Sequence, residues 1–396
     1  MVSALEGVKV LCLGQFYFAP YCSMLMARLG ADVIKIEAPH GDPYRRLPTS
    51  DAEGTSVQFT MLNSGKRAMR LDLKNPAGRD ILRRLAQNVD VLVQNLAPGA
   101  MDRFGLSYHE LREINPRLIM ASGSGYGSFG PYAGEPAMDL TIQARTAVMS
   151  TTGPIDGPPM RTGPSVVDIM GGTHLVAGVL AALFQRERTG RGQHVEVALQ
   201  DAILPSLTSN IAGFINSGGT MPERTGNRHG GLAVVPYNAY RTSEGWVTIL
   251  CPTQAHWERL AIVMQDPATD DPRFVDMAGR CIYDGEVDVI VERWTRSRTN
   301  DEISANLTRA NIPNAPVIGL AGLLDDPHIR ERGVLRNMSD RSGDWLTLGS
   351  PLFLSDSPIV EPARAPLLGA DTRQILSQDL GMSSEEIDDL YASGAV

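Results

Sequence analysis

The chain has 396 residues, 43% of them hydrophobic and 20% charged, which is enough to bury a core in two or three domains. Asp and Glu number 45 against 36 Lys and Arg, giving a formal net charge of -9, and no long basic run occurs. This acidic balance argues against nucleic acid or an anionic membrane surface as the main partner.

The first half of the sequence alternates strand-like and helix-like segments. Apolar strands are predicted at residues 8–13, 32–37, 68–73, 89–95 and 117–122. A helix is predicted at 22–29, a second begins after Asn75 and Pro76, and Ser107 with Glu110 forms the capping box of a third. Nearly continuous apolar strands separated by helices are typical of a parallel sheet that is covered on both faces. The predicted fold class is therefore α/β.

The second half changes in character after a strand at 194–199 and a helix at 201–214. A glycine-containing linker is predicted at 216–224. A smaller α+β domain is predicted at 225–317, with a hairpin over 237–250 and helices near 254–264, 285–295 and 300–309. After a second linker at 318–332, residues 333–396 are expected to return to the large domain formed by residues 1–215. The last helix begins with the capping pair Ser383 and Glu386.

One carboxylate, Asp168, interrupts a run of small and apolar residues from Gly163 to Phe184. A carboxylate in an apolar setting costs several kcal/mol unless a structural partner or a chemical role compensates it. The structural interpretation makes Asp168 the N-cap of a helix over 171–184. The chemical interpretation makes it a nucleophile that the same helix N-terminus keeps ionised. The residues alone leave both interpretations open.

Motifs for common cofactors are weak in this sequence. GYGSFG, residues 125–130, follows a strand but is followed by Pro131 rather than a helix, which argues against a nicotinamide or flavin site. Histidines show no metal-binding pattern, and no G-x-S-x-G motif occurs. Several basic residues follow strands and would either converge on a phosphorylated ligand or form a solvated rim. They are Arg45, Arg46, Lys66, Arg67, Lys74 and Arg103.

Cysteine usage and the N-terminal stretch bear on the compartment. Cys12, Cys22, Cys251 and Cys281 show no C-x-x-C spacing, which predicts a reducing compartment and no structural metal. MVSALEGVKVLCLG lacks the basic region of a signal peptide, and no apolar stretch approaches the length of a membrane span. We therefore expect a cytoplasmic protein without a membrane partner.

The sequence resembles the class III CoA-transferase family, of the carnitine and formyl-CoA transferase type, over essentially its whole length. Matching stretches include LGADVIKIEAPHGDPYR, LNSGKRAMRLDLKNPAGRDIL, DVLVQNLAPGAMDRFGL and DGPPMRTGPSVVDIMGGTHLVAGVLAALF. The resemblance implies an interlocked-ring homodimer, each subunit having a large domain with a Rossmann-like parallel sheet and a smaller α+β domain. It implies a CoA thioester and a carboxylic acid as substrates, and no tightly bound cofactor.

The resemblance also implies the site residues. The family's catalytic carboxylate falls on Asp168, and backbone N–H groups of Gly230 and Gly231 are expected to stabilise oxyanions. In the implied mechanism Asp168 attacks an acyl-CoA carbonyl to form an anhydride and then carries CoA as a thioester. Small residues beside Asp168 would leave room for the ester. The CoA-binding positions fall on Leu71, Asp72, Leu73, Lys74, Asn95, Leu96, Ala97, Arg103, Met138 and Asp139.

Some positions depart from the family pattern. The loop after the first strand reads YFAP, residues 17–20, where an Ala-Gly-Pro loop is common, and Ala38 stands where formyl-CoA transferases carry Arg. These changes argue against formate and oxalate as substrates. One alternative is an α-methylacyl-CoA racemase of the same fold, in which a His precedes the Asp aligned with Asp139; this chain has Met138 there. Another is a CoA-binding protein without catalysis.

Overall fold

The computed structural model describes residues 2–47, 55–340 and 343–396. Contacts divide the chain into two compact units. The first comprises Met1–Ile142, Ser165–Ile203 and Asp326–Val396, and the second comprises Gln143–Pro164 and Leu204–Asp325. This division assigns residues 143–164 and 204–215 to the second unit, whereas the sequence assigns them to the large domain.

A parallel sheet belongs to the first unit. Its strands are β1 (Lys9–Cys12), β2 (Asp32–Glu37), β3 (Arg67–Arg70), β4 (Val91–Gln94), β5 (Ile119–Ser124) and β6 (His194–Ala198). Within the described residues they pair in the order β3-β2-β1-β4-β5-β6, and every pairing is parallel. In this Rossmann order, ligands bind outside the carboxyl ends of the strands at the point where the order reverses, here between β1 and β4. The predicted α/β class is confirmed.

Helices connect these strands. In chain order they are α1 (Phe18–Arg28), α2 (Val57–Asn63), α3 (Pro76–Ala86), α4 (Ala100–Arg103), α5 (Tyr108–Ile114), α6 (Asp139–Arg145), α7 (Val148–Thr151), α8 (Val166–Thr189) and α9 (Leu199–Ile203). Asn75 accepts the N–H of Ala77 as the N-cap of α3, and Ser107 with Glu110 forms the predicted capping box of α5. Both predicted helix starts are confirmed.

The second unit combines a small antiparallel sheet with helices. Its strands are β7 (Tyr237–Arg241), β8 (Trp246–Leu250) and β9 (Asn314–Pro316), and its further helices are α10 (Thr208–Asn216), α11 (Gln254–Met264), α12 (Met277–Ile282), α13 (Asp284–Thr295), α14 (Asn300–Arg309) and α15 (Leu320–Asp325). The predicted hairpin is confirmed. The single helix predicted at 201–214 is wrong: a 3-10 turn at Leu204–Leu207 separates α9 from α10, because Pro205 lacks the N–H that a continuous helix needs.

The C-terminal segment, from Asp326 to Val396, belongs to the first unit. It forms α16 (Pro327–Glu331), the antiparallel pair β10 (Leu335–Asp340) and β11 (Gly343–Leu348), α17 (Thr372–Gln378) and α18 (Ser384–Ala392). The predicted capping box of Ser383 and Glu386 opens α18. Ile375 and Ile387 are buried in the same hydrophobic core as Leu11 of β1 and Leu92 of β4.

Helix α8 packs closely against α1, β5 and β6. A Cβ atom on Gly171 would lie 2.9 Å from Phe18 Cε2, and one on Gly172 would lie 2.7 Å from the backbone oxygen of Phe18. Such distances are shorter than real Cβ contacts, so α1 and α8 can approach each other only because these residues are glycines. The small residues after Asp168 therefore serve helix packing, and room for an ester beside Asp168 stays a prediction.

The same helix is long enough to cross a membrane. Its 24 residues have the length and apolar composition of a span, which corrects the expectation that no stretch approaches that length. However, much of the helix is buried inside the protein, and core helices of soluble proteins share this length and composition. The packing against α1 and the sheet accounts for the apolar composition of α8.

Candidate active site

The candidate site lies where the strand order reverses, at the carboxyl ends of β1 and β4. The loops after these strands bond reciprocally: the Gln15 N–H donates to Asn95 Oδ1 at 2.7 Å, and Asn95 Nδ2 donates to the Gln15 carbonyl at 2.9 Å. Beside them is a cavity of about 450 Å³ that Asp168 lines together with Leu96 and Met138. The fold thus brings the predicted nucleophile and part of the predicted CoA-binding loop to one cavity.

Asp168 is the third residue of α8, so the N-cap interpretation is wrong. The helix begins at Val166 rather than at residue 171, and the side chain of Ser165, at the N-cap position, makes no capping hydrogen bond. Asp139 supplies the cap instead, because its Oδ2 accepts the N–H of Val167 at 3.0 Å and that of Asp168 at 3.2 Å. An anion at these groups satisfies two free donors of the first turn and offsets the positive end of the helix.

The carboxyl group of Asp168 is buried in a setting that opposes its ionisation. The residue is 8% exposed, and burial raises the pKa of its carboxyl from the usual 3.8 to about 7, with the nearby charge of Asp139 adding to the effect. The expectation that the helix keeps Asp168 ionised is therefore corrected. The main physical reason is burial, and Asp139 adds to it by its charge and by occupying the N–H groups through which α8 would stabilise a second anion.

An aromatic cluster faces Asp168. Phe16 and Tyr17 each pack edge-on against Tyr44, with ring centroids 5.2 and 5.0 Å apart. Burial raises the pKa of Tyr44 to about 12 and also raises that of Tyr17, and the charge of Asp168 contributes to both shifts. Phe16 has φ 63°, in the left-handed region that side chains disfavour. No local pattern predicts this cluster, because Tyr44 comes from the loop after β2.

The predicted CoA-binding residues divide between two adjoining cavities. Leu71, Asp72, Leu73 and Lys74 line a second cavity of about 150 Å³. Leu96 lines both of these cavities. Of the two, Ala97 lines the cavity that contains Asp168. The structure therefore brings residues 71–74 and 95–97 together at the same end of the sheet. Their contacts with CoA stay a prediction.

The remaining predicted CoA-binding residues differ in their surroundings. Arg103, the last residue of α4, is exposed outside both cavities and donates to the Pro98 carbonyl at 3.2 Å. Met138 is exposed and lines the cavity of Asp168. Asp139 Oδ2 accepts hydrogen bonds from the N-terminus of α8. The sequence did not predict this role, because Val167 and Asp168 lie 28 and 29 residues after Asp139.

Three of the basic loop residues have partners inside the protein. Arg45 forms a bidentate pair with Glu37, at 2.6 and 2.8 Å. Lys66 is buried, donates three hydrogen bonds, and has a pKa that burial lowers to about 7. Arg67 pairs with two aspartates. These three side chains stabilise the fold and do not converge on a phosphorylated ligand, which leaves the exposed Arg46, Lys74 and Arg103 as candidates.

Gly230 and Gly231 belong to the second unit. A Cβ atom on Gly230 would lie 2.7 Å from Asn210 Oδ1, and one on Gly231 would lie 2.7 Å from the backbone oxygen of Ser209. Packing against the backbone of α10 therefore requires Gly231, whereas a Cβ at Gly230 would meet only the side chain of Asn210. Their stabilisation of oxyanions stays a prediction.

Comparison with known proteins decides the family. The model of a family described as CoA-transferase family III matches residues 5–372. The chain belongs to CoA-transferase family III. The resemblance found in the sequence is thereby confirmed, and the protein is an enzyme that transfers CoA.

Relatives of this transferase act on different acids. A formyl-CoA:oxalate CoA-transferase of Streptomyces coelicolor is 37% identical, with 99% of each chain covered. A succinyl-CoA:mesaconate CoA-transferase of Haloarcula marismortui is 36% identical over 98% of this chain and 100% of its own. The crystal structure of a CAIB/BAIF family protein from Brucella suis matches with a TM-score of 0.83 and 32% identity, covering 96% of this chain and 100% of that one. The relationship identifies a CoA-transferase but not its acids.

Proposed function

We propose that this transferase moves CoA from an acyl-CoA to a free carboxylic acid through covalent intermediates on Asp168. The observation that carries the proposal is the buried carboxyl of Asp168 in the cavity at the switch point, beside the loop of Asn95 and Leu96. A titratable group with a strongly shifted pKa in a cleft is typical of a functional site. Cavities at the carboxyl ends of a Rossmann sheet are where such folds bind ligands.

The first half of the reaction releases the donor acid. An oxygen of the Asp168 carboxylate attacks the acyl carbonyl carbon, the carbon–sulfur bond breaks, and CoA thiolate leaves an aspartyl-acyl anhydride. The thiolate then attacks the carboxyl carbon of Asp168, and the donor acid departs as a carboxylate. Asp168 now carries CoA as a thioester.

The second half runs the same steps in the opposite direction. The acceptor carboxylate attacks the aspartyl thioester and displaces CoA thiolate, which forms a new anhydride between Asp168 and the acceptor. The thiolate attacks the acceptor carbonyl, and the product acyl-CoA leaves a free Asp168 carboxylate. Backbone N–H groups of Gly230 and Gly231 are proposed to stabilise the oxyanions of these steps.

Asp168 must be ionised to attack. Because its pKa lies near 7, the acid form predominates below that pH and the rate of the first step should fall. This fall in rate is the acid limb of the pH–rate profile. It is a property of Asp168 itself and does not depend on the acid that is transferred.

Met138 argues against the racemase alternative. Exchange of an α-proton needs two groups that transfer protons on either side of the substrate carbon. Met138, which lines the cavity where a racemase would carry its histidine, has no such proton. A CoA-binding protein without catalysis would have no use for a buried carboxylate at the cavity.

We further propose that the enzyme is cytoplasmic, binds no cofactor tightly, and forms an interlocked homodimer. Its four cysteines are free, three of them buried and Cys281 partly exposed, as suits a reducing compartment. The family resemblance supports the dimer. Substrates are the CoA thioester and the carboxylic acid.

A panel of acyl-CoA donors crossed with carboxylic acids tests the proposed function, with the products read by mass spectrometry. The parent should form the CoA ester of at least one acceptor acid, and Asp168→Asn should lose nearly all transfer, because an amide lacks the attacking anionic oxygen. Transfer by Asp168→Asn at the parent's rate would overturn the proposal. Exchange of the α-proton with deuterium from solvent, without transfer, would favour the racemase.

A further inference from the structure

We infer that Asp139 is a positioning residue of the transferase: it anchors the first turn of α8, and thereby Asp168, at the cavity. The inference rests on the proposed role of Asp168 as nucleophile. It differs from the role that the family resemblance implies for Asp139, which is contact with CoA.

Two hydrogen bonds carry the inference. Asp139 Oδ2 accepts the N–H groups of Val167 and of Asp168 itself, at 3.0 and 3.2 Å. Ser165, the residue at the N-cap position, provides no side-chain capping bond. The start of the 24-residue helix α8 is therefore tied to a distant residue at the start of α6. A carboxylate that accepts the nucleophile's own N–H directly restrains the backbone from which the nucleophile projects.

The same bonds affect the charge of Asp168. The titratable groups that face it from neighbouring elements are Asp139, Tyr17 and Tyr44, and the two phenols, as ordinary tyrosines do, stay neutral at pH 7. Asp139 is thus the anion near Asp168, and it also neutralises the helix N-terminus that would favour ionisation. A residue that only held the helix in place would not change the pH at which the nucleophile ionises.

Two substitutions separate position from charge. Asp139→Asn keeps an oxygen that can accept both N–H groups and removes the charge, since Asn and Asp rank together as caps. Asp139→Ala removes both the acceptor and the charge. Glu113→Gln, at an exposed position of α5, is the matched control for loss of one carboxylate in the first unit.

The experiment measures kcat and KM for an acyl-CoA donor from pH 5 to 9, together with thermal unfolding to verify the fold. With Asp139→Asn, kcat at pH 9 should stay within about threefold of the parent while the acid limb moves to lower pH by roughly 1 unit. With Asp139→Ala, kcat at pH 9 should fall roughly tenfold or more, because the nucleophile is misplaced. KM should change little in either variant, and Glu113→Gln should match the parent.

Three results would overturn the inference. They are an acid limb that does not move in Asp139→Asn, equal kcat at pH 9 for the Asn and Ala variants, or a rise in KM that accounts for the whole loss. If Asp139→Ala does not fold, the acid limb and KM of Asp139→Asn decide alone. These results differ from failure of the proposed function. In that case the parent enzyme, incubated with an acyl-CoA donor and hydroxylamine, would form no hydroxamate on Asp168 at any pH.

Discussion

Two aspartates compete for one helix terminus at the site. Asp168 lies in the first turn of α8, where an anion is normally stabilised, but Asp139 accepts the N–H groups there. The consequence is a nucleophile whose pKa is raised to about 7 by burial and by its neighbour. A carboxylate that is less stable as an anion is also more basic and attacks more readily once it is ionised.

This setting predicts that Asp168→Asn stabilises the protein at alkaline pH. The pKa of Asp168 in the folded protein is raised from 3.8 to about 7. The protonated side chain therefore contributes fully to the free energy of unfolding below pH 3.8, and this contribution is lost as the pH rises through 7. Asn has no charge to bury. The free energy of unfolding of Asp168→Asn relative to the parent should therefore grow between pH 5 and pH 8, by up to about 3 kcal/mol.

Urea unfolding of both proteins at the two pH values measures this difference. Asp389→Asn, at an exposed position of α18, is the control, and its difference from the parent should not change between pH 5 and pH 8. A relative stability of Asp168→Asn that stays constant over the same interval would mean that Asp168 ionises normally in the folded protein.

At the scale of elements, the junction of α1 and α8 positions the site. Phe18, near the start of α1, lies against Gly171 and Gly172 of α8 and also against Gly123 of β5. Three glycines therefore converge on the beginning of α1, directly after the loop that lines the cavity of Asp168. Their lack of side chains allows the nucleophile's helix to lie close to the first βα loop.

Gly172→Ala should therefore destabilise the protein even though alanine favours helix formation. The added Cβ would lie 2.7 Å from the backbone oxygen of Phe18, which cannot rotate away as a side chain would. Overpacking of this kind costs about 1–3 kcal/mol, which exceeds the gain of up to about 1 kcal/mol from helix propensity. Urea unfolding should show the loss, and kcat should fall because α8 is displaced.

Gly163→Ala is the matched control for this substitution. Gly163 precedes α8, and nothing lies within 4 Å of the position that its Cβ would occupy. Its stability should stay within about 0.5 kcal/mol of the parent. Equal stability of Gly172→Ala and Gly163→Ala would show that α1 and α8 tolerate a wider separation than the structure describes.

Local signals predicted most elements, and long-range contacts explain the errors. Asn75 and the capping boxes at Ser107 and Ser383 fix helix starts through neighbouring residues, so the sequence was sufficient there. The start of α8 was predicted too late because its cap is Asp139, far away in the chain. Asp168 stood out as a carboxylate in an apolar run, and family resemblance assigned its role and that of the Asn95 loop. The raised pKa of Asp168 depends on burial, which periodicity does not measure.

At the scale of the whole molecule, the proposed homodimer gives a role to apolar surface. No residue of α10 is buried, and Ile211, Phe214 and Ile215 on it are 47%, 51% and 68% exposed. Adjacent exposed apolar side chains of this kind mark interaction surfaces. A second copy of the chain is the partner that the family resemblance implies.

Interlocking predicts that the subunits do not exchange. When dimers that carry two different affinity tags are mixed, hybrids should form only after denaturation and refolding, because linked chains cannot separate while they are folded. Sedimentation should show dimers at every concentration at which the enzyme is active. Rapid formation of hybrids under native conditions would show that the dimer is not interlocked. A compact active monomer would contradict the dimer altogether.

Trapping with hydroxylamine shows whether Asp168 forms covalent intermediates. The parent enzyme is incubated with an acyl-CoA donor and hydroxylamine at pH 8, and its peptides are then sequenced by mass spectrometry. We expect a hydroxamate on Asp168, dependent on the donor, and none on Asp139, whose Oδ2 accepts two backbone N–H groups. Active transfer by the same preparation without modification of Asp168, or with the hydroxamate on another residue, would contradict it.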